Sequence, residues 1–146
     1  MRQNAAIVTG AADGIGRAAA LSLAAAGYAA VDVDKNGLAD TADLAREAGG
    51  SCDVAITDVS DADAVRGYID LTFRTHGRID GFFNNAGVLG ASSPITEYDE
   101  DVFDRVVAVN LRGAFLGLKY MLRQMVRQNS GSMVNTASMG AVGGIR

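Results

Sequence analysis

Short apolar runs recur along the chain, and each is followed by a longer stretch in which apolar residues return at three- and four-residue spacings. A short run closed by a turn residue is typical of a buried strand, whereas the three-to-four spacing is typical of an amphipathic helix. Five segments have the strand pattern: AAIVTG, YAAVDVD, SCDVAITDV, RIDGFFNNAG (which ends in a turn) and GSMVNTAS.

Four segments between these runs have the helical pattern: GIGRAAALSLAAAG, NGLADTADLAREAGG, SDADAVRGYIDLTFRTHG and TEYDEDVFDRVVAVNLRGAFLGLKYMLRQMVRQ. Gly27 is placed to end the first helix, and Ser60 is placed to cap the start of the third. Strands that alternate with helices predict a parallel sheet covered on both faces. We therefore predict one α/β domain over residues 1–146, with a doubly wound parallel sheet of five strands.

The composition narrows the class of protein. Of 146 residues, 49% are apolar and 21% are charged, with a formal net charge of -4. The chain has no cluster of Lys and Arg, so we expect neither a nucleic-acid partner nor a membrane anchor. Cys52 and His76 are each the only residue of their type, which excludes an intrachain disulfide and disfavours a metal site. A reducing cytoplasm is the natural compartment for such a chain.

The first strand-to-helix turn is rich in glycine and runs from Thr9 to Gly16. Such a turn lets the backbone approach a pyrophosphate, and the helix that follows presents free N–H groups and the positive end of its dipole. Asp34 ends the second strand 18 residues after Gly16, at the place where a ribose hydroxyl is bound in dinucleotide-binding domains. The pattern indicates a Rossmann-type dinucleotide site. The alternative is a plain turn followed by a solvated aspartate.

In their order along the chain, the glycine turn, Asp34, DVS, NNAG, VNLRGAF and NTAS resemble the short-chain dehydrogenase/reductase family. The resemblance covers essentially the whole sequence. It implies a single doubly wound domain of seven parallel strands, of which this chain matches the first five. It also implies an oxidoreductase that exchanges a hydride between a nicotinamide cofactor and a secondary alcohol or ketone, working as a homodimer or homotetramer.

The resemblance implies a cofactor site formed by the turn, by the ends of the second and third strands and by NNAG. In the family, Gly10, Gly14 and Gly16 would hold the pyrophosphate, and Asp58 with Val59 would contact the adenine. The implied cofactor-binding residues are Thr9, Gly10, Asp13, Gly14, Ile15, Gly16, Asp34, Asp58, Val59, Asn85, Ala86 and Gly87. Taken without the family, Asp58 is equally a helix-entry acid, and Asn84 and Asn85 are ordinary turn residues.

The family's catalytic residues match Ser138 and Asn110. Ser138 would bind the substrate oxygen and stabilise its developing negative charge. Asn110 would kink the long helix and help to hold a water of the proton relay. Outside the family, Ser138 is a turn former and Asn110 a satisfied core amide. Gly113 and Gly117, four residues apart, favour close helix packing.

The proton donor of the family, a Tyr followed four residues later by a Lys, is absent from these 146 residues. The tyrosines are at positions 28, 68, 98 and 120, and the residues four positions later are Asp32, Thr72, Val102 and Gln124. We therefore expect the chain to be the N-terminal part of an oxidoreductase that continues past Arg146, and to be inactive alone. The alternative is a non-catalytic dinucleotide-binding or regulatory protein that ends at Arg146.

The acids near the predicted cofactor site favour NAD over NADP. Asp34 would repel a 2′-phosphate, and Asp13 adds a second negative charge in the turn. Lys35 is the one neighbour that opposes this preference. The sequence therefore predicts NAD as the cofactor.

Overall fold

The computed structural model describes residues 3–34 and 38–138, with the backbone alone described at 31–34 and at 38–39. All five predicted strands are present. They are β1 (Ala5–Thr9), β2 (Ala29–Asp34), β3 (Ser51–Ile56), β4 (Gly81–Asn84) and β5 (Ser132–Asn135). They form one parallel sheet in the order β3-β2-β1-β4-β5. This order, which reverses direction beside β1, is the doubly wound Rossmann arrangement that the sequence predicts.

The helices alternate with the strands. They are α1 (Gly14–Ala25), α2 (Leu38–Glu47), α3 (Ala62–His76), α4 (Glu100–Val106) and α5 (Ala114–Gln128). A short 3₁₀ turn at Ile95–Glu97 precedes α4, and a π-helical segment at Val107–Gly113 joins α4 to α5. The predicted single long helix is therefore two α-helical segments with a π-helical segment between them.

The predicted cap of α3 was wrong by one residue. The helix is capped by Asp61, whose carboxylate accepts the backbone N–H groups of Asp63 and Ala64 at 2.7 and 2.9 Å. Ser60 does not cap it, because its hydroxyl donates to the Asp58 carboxylate at 2.7 Å. Two acceptors compete for this helix start, and the carboxylate bears the negative charge that the positive end of a helix favours.

The core lies on both faces of the sheet. Every residue of β1 is buried, as expected for the central strand of a covered parallel sheet. On one face, Ile7 packs with α3 and α5 through a cluster that includes Tyr68, Phe82 and Met121. Alanines of α1 and α2 form most of a smaller cluster with Cys52. Within the described residues, no helix has both the length and the hydropathy for a membrane crossing.

Candidate functional site

The glycine turn is held by contacts within itself and with β4. Gly10 has φ +69°, and a Cβ there would lie 2.8 Å from the Cα of Ala86. A Cβ on Gly16 would lie 2.0 Å from the carbonyl oxygen of Gly10 and 2.8 Å from Nδ2 of Asn85. Since real Cβ atoms essentially never approach backbone so closely, both positions require glycine. The requirement at Gly16 comes from the turn itself and from Asn85.

Gly14 has a different environment. It has φ +50°, and a Cβ there would meet nothing within 4 Å. It is the first residue of α1, and the preceding Asp13 makes no side-chain hydrogen bond that caps this helix. Ile15 is 69% exposed. The start of α1 is exposed and has N–H groups that no side chain caps, so its charge suits the diphosphate of a dinucleotide. Gly14 has no side chain that would keep the diphosphate away, so the shape suits it as well.

Thr9 and Asn85 join the turn to the end of β4. The hydroxyl of Thr9, which is fully buried, accepts the backbone N–H groups of Asn85 and Ala86 at 2.9 and 3.0 Å. The side-chain amide of Asn85 donates in return to the carbonyls of Thr9 and Gly10 at 3.1 and 3.3 Å. Thr9, Gly10, Asn85 and Ala86 therefore form one hydrogen-bonded unit.

The ends of β4 and β5 are joined in the same way. Nδ2 of Asn84 donates to Oδ1 of Asn135 at 3.0 Å and to the carbonyl of Ala114 at 2.9 Å. The hydroxyl of Thr136 donates to Oδ1 of Asn85 at 2.9 Å. A Cβ on Gly117 would lie 2.9 Å from Oδ1 of Asn84, so this glycine lets α5 approach the strand end closely.

Asn110 lies in the π-helical segment and binds the loop that follows β4. Its Oδ1 accepts the backbone N–H of Val88 at 2.8 Å, and its Nδ2 donates to the Val88 carbonyl at 2.9 Å. Gly87 comes close to the same amide, since a Cβ there would lie 3.4 Å from Oδ1. The helix departs from α geometry around Asn110, and π segments of this kind often occur at functional sites. The amide is satisfied by backbone, although the residue is exposed and not part of the core.

Asp58 and Val59 follow β3 and contact the residues before α3 and the π-helical segment. The carboxylate of Asp58 accepts the N–H of Ser60 at 2.9 Å as well as its hydroxyl. Val59 packs against Gly113, where a Cβ would lie 3.1 Å from Cγ2 of Val59. The pair lies between the carboxyl end of β3 and the π-helical segment, and a role at the adenine stays a prediction.

The other predicted site residues have less structural detail. Asp34 ends β2, and its backbone pairs with Ile56 of β3. The Asp34 side chain and all of Lys35 lie outside the described part of the chain. Ser138 is exposed and lies three residues after β5. Because parallel strands end at the same edge of the sheet, the residues after β1, β4 and β5 share the edge at which doubly wound domains bind their ligands.

Two polar side chains that the sequence analysis did not select contact the glycine turn. Arg17 of α1 donates from Nη2 to the carbonyl of Ala12, and its Nε donates to the hydroxyl of Thr41 on α2 at 3.1 Å. That hydroxyl donates in turn to the carbonyl of Ala11 at 2.9 Å. Thr41 lies 24 residues after Arg17 in an ordinary amphipathic pattern, so no local signal in the sequence marks the pair.

The strand order and the glycine-rich turn at the end of β1 define a Rossmann-type α/β domain. A family model described as short chain dehydrogenase matches residues 4–145. The chain therefore belongs to the short-chain dehydrogenase family, as the sequence motifs predict.

Individual relatives agree with this assignment. Levodione reductase from Leifsonia aquatica is 45% identical over 143 residues, which cover 95% of this chain and 54% of the relative. The structure of an NAD⁺-bound xylitol dehydrogenase matches with TM-score 0.92 and 43% identity, over 97% of this chain and 55% of that chain. A metagenomic short-chain oxidoreductase in complex with NADP matches with TM-score 0.87 and 31% identity, over 92% and 62% of the two chains. The chain spans about half the length of the curated relatives it matches.

Proposed function

We propose that this chain forms the cofactor-binding part of an NAD-dependent oxidoreductase that acts on a secondary alcohol or ketone. The observation that carries the proposal is the structure of the glycine turn. Gly10 and Gly16 are confined by neighbouring backbone, while Gly14 and the start of α1 face open space. A turn that served only to reverse the chain would not need an exposed helix start without a side-chain cap.

In this proposal each residue has one task. The N–H groups at the start of α1 and the helix dipole stabilise the negative diphosphate, and Gly14 allows its close approach. Thr9 and Asn85 keep the turn in position against β4 and β5. Ser138 binds the substrate oxygen, and Asn110 fixes the loop after β4 beside the nicotinamide end. The nicotinamide supplies the hydride chemistry when it is bound.

The cofactor preference follows from charge. Asp34 ends β2, where the adenosine ribose is bound in domains of this kind, and a carboxylate there repels a 2′-phosphate. The similar structures include one with NAD⁺ and one with NADP, so the fold alone leaves the choice open. We propose NAD on the strength of Asp34, with Asp13 at the start of α1 as a second negative charge.

The affinities of the protein for NAD and NADP, measured by calorimetry, test this proposal. The unmodified protein should bind NAD more tightly, and Asp34→Ala should reduce the difference by at least about tenfold, which corresponds to about 1.4 kcal/mol. Asp70→Ala on α3 is a matched control, because it removes an equal charge from an exposed position. Tighter binding of NADP than of NAD by the unmodified protein would overturn the cofactor assignment.

The proposed reaction also requires a group that transfers a proton. No tyrosine among the 146 residues is followed four positions later by lysine. A phenol needs such a cation to ionise near neutral pH. We propose that the 146-residue chain binds NAD and does not turn over alcohols or ketones. A general acid or base typically contributes about 10²–10⁴ in rate, so its absence is easily measured. Robust turnover by this chain would contradict the proposal, whereas NAD binding without turnover in any longer form would favour the alternative of a regulatory dinucleotide-binding protein.

We also propose that two copies associate along α4 and α5. The start of α4 is acidic, with Asp99, Glu100 and Asp101, whereas α5 has Lys119, Arg123 and Arg127 at four-residue intervals. Antiparallel helices from two copies would therefore bring opposite charges together. The π-helical segment and α5 also have exposed apolar side chains, which are Leu111, Phe115, Leu122 and Val126. Phe115→Glu should give a monomer in sedimentation experiments, and an unmodified protein that is monomeric at high concentration would refute this association.

A further inference from the structure

Arg17 and Thr41 hold the middle of the glycine turn from two different helices. Thr41 is fully buried on α2, and its hydroxyl donates to the carbonyl of Ala11, which is buried as well. Arg17 on α1 donates to the next carbonyl, that of Ala12, and to the Thr41 hydroxyl. We call these two side chains, with the carbonyls of Ala11 and Ala12, the turn clamp.

The turn clamp fixes the orientation of two successive peptide groups. A buried carbonyl needs a hydrogen-bond partner, and the Thr41 hydroxyl supplies it for Ala11. Because a trans peptide is planar, its N–H points away from its C=O. Anchoring the carbonyls of Ala11 and Ala12 toward Arg17 and Thr41 therefore turns the N–H groups of Ala12 and Asp13 away from these side chains. These are the peptide groups immediately before the exposed start of α1.

The clamp also connects α2 to the turn. α2 follows the end of β2, whose last residue is Asp34, and Thr41 is on its first full turn. The hydrogen bonds through Arg17 and Thr41 thus join the element that follows the ribose end of the proposed site to the turn at its diphosphate end. Neither Arg17 nor Thr41 belongs to the glycine-rich turn from Thr9 to Gly16.

We propose that Arg17 and Thr41 are positioning residues that hold the turn in the shape that accepts the diphosphate of a dinucleotide. They act through the peptide groups of Ala11 and Ala12 and contribute little to the binding of the adenosine part. This inference rests on the proposed dinucleotide site. Its consequence is selective: loss of the clamp lowers affinity for ligands with a diphosphate and leaves affinity for adenosine nearly unchanged.

Titrations of the ¹⁵N-labelled protein with ADP and with adenosine test the inference. We follow them by NMR, because it also measures dissociation constants in the millimolar range. Thr41→Val keeps the shape of the side chain and removes the hydroxyl. We expect it to weaken ADP binding by about 3- to 10-fold, the loss of one to two ordinary hydrogen bonds, with less than about a twofold change for adenosine. Thr41→Ser keeps the hydroxyl and should restore ADP binding to within about twofold of the unmodified protein.

Arg17→Met and Arg46→Met form a matched pair of charge deletions. Arg46 lies on α2 and is exposed, and its guanidinium pairs with Asp43 on the same helix. Both variants lose one positive charge, so an effect of net charge alone on ADP binding would appear in both. The clamp predicts a fall in ADP affinity for Arg17→Met alone, with adenosine affinity unchanged in both variants.

The outcomes separate the clamp from the proposed function. If the unmodified protein binds neither NAD nor ADP, the proposed function fails and the positioning role fails with it. If the unmodified protein binds both, and Thr41→Val leaves the ratio of ADP to adenosine affinity unchanged, the positioning role alone is overturned. An equal loss for ADP and adenosine in Thr41→Val would mean a general disturbance of the site and would overturn it as well.

Discussion

Thr9 and Asn85 bind each other twice across the carboxyl ends of β1 and β4. The backbone N–H of Asn85 donates to Oγ1 of Thr9 at 2.9 Å, and Nδ2 of Asn85 donates to the Thr9 carbonyl at 3.1 Å. Oδ1 of Asn85 accepts in addition from the Thr136 hydroxyl at 2.9 Å, beyond the end of β5. One asparagine thus sets the relative positions of three strand ends at the edge where the proposed site lies.

Thr9→Val should destabilise the protein strongly, although the two side chains have nearly the same shape. Valine has nearly the same shape but no acceptor, so the N–H groups of Asn85 and Ala86 would lose the buried hydroxyl that they share. Unsatisfied buried groups cost about 1–3 kcal/mol each, so we expect the free energy of unfolding to fall by about 2–4 kcal/mol. Urea denaturation measures this change.

Thr9→Ser is the matched control, because serine keeps the acceptor and loses only a methyl group. It should cost about 1 kcal/mol, the ordinary value for one buried methyl. If valine and serine cost the same, packing of the methyl group and not the paired N–H groups would explain the need for threonine.

Gly14→Ala should weaken NAD binding without unfolding the chain. Gly14 has φ +50° and open space where a Cβ would be, so alanine adds a methyl group beside the start of α1. The left-handed backbone costs about 1–2 kcal/mol of stability for alanine. We expect NAD affinity, measured by calorimetry, to fall by at least about tenfold.

Gly27→Ala is a control that separates the effect of Gly14→Ala on stability from its effect on NAD binding. Gly27 has φ +82° and equally open space, and it lies just beyond the end of α1 opposite to the proposed site. It should lose a similar amount of stability and keep the NAD affinity of the unmodified protein. Equal NAD affinities in the two variants would exclude a role for Gly14 in binding.

The sequence predicts the elements well because each has a local cause. The strands are apolar runs long enough to be buried, and the turn after β1 is defined by glycines that allow either a left-handed backbone or a close approach of neighbouring groups. The family assignment rests on the same short motifs, and the family model confirms it over residues 4–145. The roles of the individual site residues stay predictions.

Other features depend on contacts between distant residues, which no local pattern reveals. The start of α3 illustrates this, because Ser60 and Asp61 both suit a helix cap and the choice depends on the bond from Ser60 to Asp58. The π-helical segment likewise surrounds Asn110, whose amide pairs with Val88 from 22 residues away. The pairing of Arg17 with Thr41 is of the same kind.

Gly16→Ala should be far more harmful than an alanine at another helical glycine. Its Cβ would lie 2.0 Å from the carbonyl oxygen of Gly10, so the backbone of the turn must move. Overpacking of this kind typically costs about 1–3 kcal/mol, and we expect a loss at the upper end of that range together with loss of NAD binding. Gly67 in α3 is the contrasting position, since nothing lies within 4 Å of its Cβ site.

Gly67→Ala should stabilise the protein by about 0.5–1 kcal/mol, the usual gain from replacing glycine inside an exposed helix. Thermal unfolding of both variants measures the contrast. A Gly16→Ala protein as stable as the unmodified one would show that the turn is looser than the close approach of Gly10 to Gly16 indicates.

Tyr68 makes the stability of the protein sensitive to alkaline pH. The residue is 4% exposed in the core between α3 and the sheet, and burial raises the pKa of its phenol above the ordinary value. Within the described part of the chain, no hydrogen-bond partner of its hydroxyl is present to offset that burial. The folded protein therefore holds the proton of Tyr68 more tightly than the unfolded chain does.

The sign of the effect follows from this difference in proton binding. Below pH 10 the phenol is protonated in both states, and its contribution does not vary with pH. Above pH 10 the unfolded chain releases the proton first, so the free energy of unfolding falls by up to about 1.4 kcal/mol per pH unit from this group.

Tyr68→Phe removes that component. It should leave stability at pH 7 unchanged or slightly raised, because the lost hydroxyl is buried and has no hydrogen-bond partner among the described residues. Ile69→Val, a non-titrating change in the same cluster, should lower stability by about 0.5–1.5 kcal/mol equally at all pH values. Urea denaturation at pH 8 and pH 11 compares the three proteins. If the unmodified protein and Tyr68→Phe lose the same stability between these pH values, the phenol of Tyr68 does not carry the alkaline sensitivity.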